Sequence, residues 1–134
     1  MIMNKIYKKN TNICYSCKYH IVWCPKYRRP VLVEPVANRL ETILQEIIDK
    51  YYSELIEMEI MEDHIHILLE CDPQFGIHKL VKRLKGISSK KLREEFPHLK
   101  SQLPCLWTNS YFVSTVGGAP LSIIKEYIKN QKNI

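Results

Sequence analysis

"LIEMEIMEDHIHILLEC", residues 55–71, decides the fold. In its first half Ile56, Met58 and Ile60 alternate with Glu57 and Glu59, the two-residue period of a strand with one face in a core and the other in water. In its second half His64 and His66 point one way while Ile65, Ile67 and Leu69 point the other. So little sequence separates the two runs that they predict an antiparallel hairpin turning near Glu62 and Asp63.

The pattern extends outward on both sides. Upstream, Val36, Leu40, Ile43, Leu44, Ile47 and Tyr51 recur at helical spacing from Pro35 to about Ser53, with Pro35 suited to the first helical position. Before that helix, "ICYSCKYHIVWC", residues 13–24, alternates Tyr15, Tyr19, Ile21 and Trp23 as a strand does, and "PKYRRP" breaks it. Downstream, "CDPQFG" ends the hairpin, and Ile77, Leu80, Val81, Leu84 and Ser88 line one side of a helix running to about Phe96. "PHLKSQLP" reads as a connection, "LWTNSYFVSTV" as a fourth strand, "GGAP" as a break and "LSIIKEYIKNQ" as a last helix. The expected fold class is α+β, a ferredoxin-like (split βαβ) antiparallel sheet with two helices on one face, plus a C-terminal helix. Many unrelated functions share that architecture, so it selects none of them.

Composition narrows the class. With 134 residues, 46% of them hydrophobic, one domain is expected. No apolar run approaches the ~20 residues of a membrane helix, and the N-terminus has no secretory-type apolar core, so a cytoplasmic protein is expected. The five cysteines cannot all pair within one chain, and most lie in apolar strand-like runs, which fits a reducing compartment. Cys14 and Cys17 have the spacing of half a zinc site, but no second pair follows. The net charge of +6 is sorted along the chain: residues 1–33 carry seven Lys or Arg and no acid, whereas residues 34–70 carry ten acids and two basic residues. A basic side and an acidic side follow, and a polyanion, nucleic acid first, is the expected partner of the basic one.

Two features bear chemistry. His64 and His66 sit on one strand face, where two neutral imidazoles supply half of a divalent-metal site; a pair of surface histidines has the same pattern. On the last helix Leu121, Ile124 and Ile128 form an apolar stripe, while Tyr127 and Gln131, four apart, share an edge. There a phenol can serve as nucleophile and an amide oxygen as ligand; a packed rim has the same spacing. The second helix also gathers Lys79, Lys82, Arg83, Lys90 and Arg93 on one side around Gly86, and a mid-helix glycine makes sense where something approaches the backbone. Lys85 points away from that cluster and receives no role.

In order along the chain, "YHIVWCPKYRRPVL", "EDHIHILLE", "DPQFG", "LPCLWTNSYFVSTVGGAP" and "IIKEYIKNQ" resemble the single-tyrosine HUH transposases of the IS200/IS605 insertion sequences, from about Tyr15 to Gln131. The resemblance implies a single-strand DNA transposase that binds hairpins at the ends of its element and cleaves and rejoins DNA through a 5′-phosphotyrosine. It implies His64 and His66 as ligands of Mg²⁺ or Mn²⁺, Gln131 as the third ligand and Tyr127 as nucleophile. It further implies DNA contacts by Tyr27, Arg28, Arg29 and the basic helix, with Phe75 stacking on an unpaired base or plugging the core. A homodimer with active sites shared between subunits is also implied. The expected division is a core of about 13–116, a hinge at 117–119 containing Gly117 and Gly118, and a tyrosine helix over 120–132. The sequence ends at Ile134, where family members usually continue, so a tyrosine helix of about three turns is expected.

Two other functions remain compatible with the residues. An RNA-recognition-like module would bind single strands through exposed aromatics without catalysis. A metal-dependent phosphodiesterase would use water in place of Tyr127 as nucleophile.

Overall fold

The alternating stretch folds as a hairpin turning at Glu62 and Asp63, inside a computed structural model that describes residues 8–9, 13–116 and 121–132. Short strands β1 (Lys8–Lys9) and β2 (Cys14–Tyr15) pair with each other and lead into β3 (Lys18–Trp23). A 3-10 turn at Lys26–Arg28 precedes α1 (Val36–Lys50), then the hairpin β4 (Ser53–Met61) and β5 (His64–Cys71). Helices α2 (Ile77–Glu95) and α3 (Pro97–Gln102), strand β6 (Phe112–Thr115) and helix α4 (Leu121–Lys129) complete the chain.

The four-stranded sheet has the order β4-β5-β3-β6, antiparallel throughout, which is the ferredoxin-like arrangement that the element order predicts. One core joins the inward faces of β3 and β5 (Ile21, Trp23, Ile65, Ile67, Leu69) to α1 (Leu40, Ile43, Leu44, Ile47) and α2 (Leu80, Val81, Leu84, Leu92). Gly76 caps the start of α2 at φ 95°, a left-handed conformation that favours glycine. Among the described residues no helix is long and apolar enough to cross a membrane.

The structure departs from the sequence reading in four places. β4 slips by one residue against β5 between Leu55 and Glu57, so Ile56 bulges into solvent at 47% exposure and the inward face is Leu55, Met58 and Ile60. The first strand breaks at Ser16–Cys17, where the buried Glu70 carboxylate accepts the Cys17 N–H that leaves the ladder. "PHLKSQ" is helix rather than connection, since Pro97 suits the first turn and Leu99 anchors it in the core. The fourth strand pairs only over Phe112–Thr115: Trp107 makes an isolated bridge to Pro25, which has no N–H to extend a ladder, and residues 108–111 leave the sheet. The expected hinge, with Gly117 and Gly118, and the predicted helix start at Pro120 lie outside the described residues.

Candidate active site

Strand alternation builds the first half of the site. With Ile65, Ile67 and Leu69 in the core, His64 and His66 lie on the sheet face opposite α1 and α2. In register, His66 stands between Glu59 of β4 and Val22 of β3, and Val22 pairs in turn with Phe112 of β6. His66 Nε2 is 3.0 Å from His20 Nδ1, and the two rings stack with centroids 5.2 Å apart. Burial first, then the neighbouring His20, holds His66 below the usual imidazole range, against the pull of Glu59 and Glu57. The neutral ring that results is the form that ligates metals.

His64 is oriented by its sequence neighbour. Its Nδ1 lies 2.8 Å from Asp63 Oδ1, an arrangement in which Nδ1–H donates to the carboxylate and Nε2 keeps its lone pair. The second Asp63 oxygen is 3.2 Å from Arg28 Nε, and Arg28 Nη1 donates to the Ile128 carbonyl of α4 at 3.3 Å.

The second half of the site comes from α4, which lies on the histidine face over β3 and β6. Ile124 is buried beneath it, and the Tyr127 ring packs 5.5 Å from the Phe112 ring. Phe112 is two strands from His66 in register, roughly 10 Å by ordinary strand spacing. The Tyr127 hydroxyl is 3.1 Å from Ser110 Oγ, and Ser110 Oγ donates to Gln131 Oε1 at 3.2 Å. One hydroxyl proton cannot serve both bonds, so Tyr127 donates to Ser110 while Ser110 donates to Gln131. Gln131 lies just beyond the helix, in a turn where its N–H bonds the Ile128 carbonyl, and is only 4% exposed. Burial raises the Tyr127 phenol above its usual range; the Ser110 bond opposes this and nearby Cys24 adds to it.

Two imidazoles on one face, and an amide oxygen in the turn after the covering helix, are donor types that divalent cations accept. Among the described residues no group of three or more His, Cys, Asp or Glu comes together.

Several site residues escape the sequence reading. His20 has a visible signal, since it alternates out of the core between Tyr19 and Ile21, but its pairing with His66 depends on strand register. Ser110 lies within "LPCLWTNSYFVSTVGGAP", but no spacing singles it out there. Lys85, to which the sequence assigns nothing, reaches from α2 to donate to the carbonyls of Thr108 at 2.6 Å and Ser110 at 2.9 Å, and so fixes the segment that presents Ser110. Burial holds its ammonium down to about 8.

Lys85→Met leaves the Thr108 carbonyl without this donor, while the Ser110 carbonyl keeps the Thr108 hydroxyl, and is expected to cost about 1–3 kcal/mol in urea unfolding, with slower cleavage because the Ser110 segment loosens. The pH dependence gives a sharper reading. Between about 8 in the folded protein and 10.5 in the unfolded chain, the unfolded state binds more protons, so this lysine makes stability rise with pH in that window. The stability difference between wild type and Lys85→Met should therefore grow with pH from about 8 to 10.5. A difference that stays flat with pH would exclude a strained ammonium.

The residues expected at DNA divide by place. Lys79, Lys82, Arg83 and Lys90 are exposed on α2, on the side of the sheet away from the histidines. Phe75 is half-buried, stacked on Tyr51 with ring centroids 5.4 Å apart, beside Tyr52 and under Lys79 Nζ at 4.8 Å. Arg83 lies 5.5 Å over Tyr51, so a basic and aromatic patch forms there in which the sequence reading named Phe75 but neither tyrosine. Tyr27 and Arg29 are exposed. Arg93 turns inward to the carbonyls of Leu103 and Pro104, and Arg28 turns inward to Asp63 and α4.

Residues 13–131 match the family model described as "Transposase IS200 like". The ISDra2 transposase TnpA of Deinococcus radiodurans is 41% identical over 126 residues, covering 92% of this chain and 90% of that protein. The transposase for insertion sequence element IS200 of Salmonella typhimurium is 37% identical over 119 residues, 87% of this chain and 78% of that protein. A crystal structure of a putative transposase from Deinococcus radiodurans superposes with a TM-score of 0.83 at 39% identity, covering 95% of this chain and 99% of that one. A REP-associated tyrosine transposase bound to a REP hairpin shares the fold alone, at a TM-score of 0.57 and 9% identity over 90% of this chain and 68% of that one. By family match and relatedness over nearly its whole length, this chain belongs to the IS200-like transposases, enzymes that cleave and rejoin DNA.

Proposed function

We propose that this chain transposes single-stranded DNA, binding hairpins at the ends of an insertion sequence and exchanging strands through a 5′-phosphotyrosine on Tyr127. The observation that carries the reading is the Ser110 hydroxyl, which gathers the Tyr127 hydroxyl and the Gln131 amide onto the sheet face that bears His64 and His66. His64, His66 and Gln131 would hold Mg²⁺ or Mn²⁺. Such an ion polarises a phosphate oxygen and offsets the charge that develops during displacement.

The chain's own groups do the rest. The Tyr127 oxygen would attack the scissile phosphorus as its proton passes to solvent water, and the bond from phosphorus to the 3′ oxygen would break. That oxygen takes a proton and leaves as a free 3′-OH, with the 5′ phosphate linked to Tyr127. The phosphoester bond is conserved, so attack by another 3′-OH reverses the step and joins new ends without a nucleotide cofactor. His20 and Asp63 orient the two imidazoles, and Lys85 holds the Ser110 segment.

DNA would be held mainly by exposed cations on α2 and by the patch of Phe75, Tyr51 and Tyr52, where an unpaired base can stack. The protein would act as a homodimer whose subunits can share active sites by exchanging tyrosine helices, the contacts within this chain being those of a helix on its own histidine face. Exposed apolar residues on both outer strands, Ile56 and Met61 on β4 and Val113 on β6, are compatible with sheet-to-sheet association.

The deciding experiment mixes purified protein, Mn²⁺ or Mg²⁺, and labelled single-stranded DNA carrying an end hairpin and cleavage site. A denaturation-resistant protein–DNA adduct is the expected product. Hairpin binding with no adduct under several metals and pH values would instead favour a binding module.

Gly86 tests the α2 surface. An added Cβ meets nothing within 4 Å, so no protein packing requires glycine there. Gly86→Ala is expected to stabilise the fold by up to about 1 kcal/mol through helix propensity. If DNA approaches α2 closely, the same change weakens hairpin binding several-fold. Raised stability with unchanged affinity would move the DNA path off this helix.

A further inference from the structure

The segment "KYRR", residues 26–29, follows Pro25 at the end of β3. Tyr27 and Arg28 are consecutive non-glycine residues in the left-handed region, at φ 59° and 51°. Each such residue costs about 1–2 kcal/mol, so the surroundings have to over-determine the conformation. Backbone bonds fix the turn: Lys26 N–H to the Leu106 carbonyl, Arg28 N–H to the Pro25 carbonyl, and Leu32 N–H to the Glu62 carbonyl beside the β4–β5 turn. The turn leaves Tyr27 and Arg29 in solvent and sends the Arg28 side chain, 18% exposed, into the protein.

There the guanidinium has two partners on different elements. Nε faces Asp63 Oδ2 at 3.2 Å as an ion pair without the alignment of a hydrogen bond, and the other Asp63 oxygen contacts His64 Nδ1 at 2.8 Å. Nη1 donates to the carbonyl of Ile128, the residue after Tyr127, at 3.3 Å. A continuous path of polar contacts therefore runs from His64 through Asp63 and Arg28 to the backbone of the tyrosine helix. That carbonyl belongs to the last turn of α4, where it also accepts the Gln131 N–H and where the dipole favours a cation. A nine-residue helix is marginal alone, so the place of α4 depends on such contacts.

We propose that Arg28 is a positioning residue for strand transfer: it binds the Asp63 carboxylate and the Ile128 carbonyl together and so sets the tyrosine helix relative to His64. The inference rests on Tyr127 and His64 being the reacting and metal-binding groups. A guanidinium suits the task because its rigid planar fork meets the two partners from different nitrogens, whereas a lysine ammonium is a single point charge on a flexible stem. Turned inward, Arg28 is committed to this task and is not a phosphate contact, unlike its exposed neighbour Arg29.

The test compares wild type, Arg28→Ala and Arg28→Lys as full chains in three measurements: single-turnover adduct formation, hairpin affinity over a salt series, and amide hydrogen exchange without DNA. In Arg28→Ala, exchange in residues 124–131 should accelerate about tenfold relative to wild type, with β3 and β5 unchanged. Adduct formation should fall about 10–100-fold at saturating DNA, because small displacements of a reacting group have effects of that size. Hairpin affinity and its salt slope should stay within twofold of wild type, and Arg28→Lys should recover only part of the rate. A fall in affinity that matches the fall in rate, with a salt slope reduced by about one, would make Arg28 a phosphate contact and overturn the proposal. Unchanged exchange in α4, or unchanged adduct formation, overturns it as well. If Arg28→Ala does not fold, Arg28→Lys decides by the same criteria. The exchange measurement needs no DNA, so wild type that forms no adduct would defeat the proposed chemistry while still reporting whether Arg28 holds α4.

Discussion

Tyr127→Phe is expected to eliminate the covalent protein–DNA adduct and to lower strand cleavage by at least about a thousandfold, because in the proposed mechanism it deletes the oxygen that attacks phosphorus. The fold should hardly notice. The ring keeps its packing against Phe112, and Ser110 is exposed enough for water to replace the lost bond, so the stability change should stay under about 1 kcal/mol. Hairpin affinity should be unchanged, which separates chemistry from binding in one variant. Phosphodiester turnover near the wild-type rate would instead identify water as the nucleophile and give Tyr127 a packing role.

His66→Ala should be nearly as severe, with adduct formation reduced by about a hundredfold to a thousandfold and Mn²⁺ binding lost in titration calorimetry. The cause differs, since the phenol is intact and the loss lies in charge stabilisation at the phosphate. His20→Ala should fall between this variant and wild type, about 10–100-fold, as an outer partner that orients a ligand. The ordering is the discriminating result. Equal activity of wild type and His66→Ala, or wild-type activity undiminished in excess chelator, would remove the histidine pair from the mechanism.

These outcomes depend on residues of very different legibility. His64 and His66 could be found because strand alternation is local: two imidazoles at i and i+2 share a face whatever the rest of the chain does. Tyr127 and Gln131 share an edge by helical spacing, although Gln131 reaches its place through a turn after Lys129 rather than through continued helix. Neither spacing could say that the helix would lie on the histidine face. For that the family resemblance was needed, and the Ser110 bonds and the Arg28 contact supply the geometry.

The misplacements have physical causes of the same kind. Ile56 fits the alternation perfectly and still faces solvent, because a bulge is set by how two strands register and not by either strand alone. The fourth strand read from Leu106 onward loses its ladder because its partner there is Pro25, a residue more than eighty positions earlier.

What the sequence determined by itself was therefore everything with a short period: the hairpin, the amphipathic helices, the basic side of α2, the HxH pair and the Tyr127–Gln131 spacing. Tertiary structure alone decided which isolated polar residues serve the site. His20 meets His66 across 46 positions, Lys85 meets Ser110 across 25, and Arg28 meets Ile128 across 100. Contacts of that range have no period to read. They arise when apolar burial brings the sheet, α2 and α4 together, and most buried polar groups then pair with whatever partner the packing places within reach.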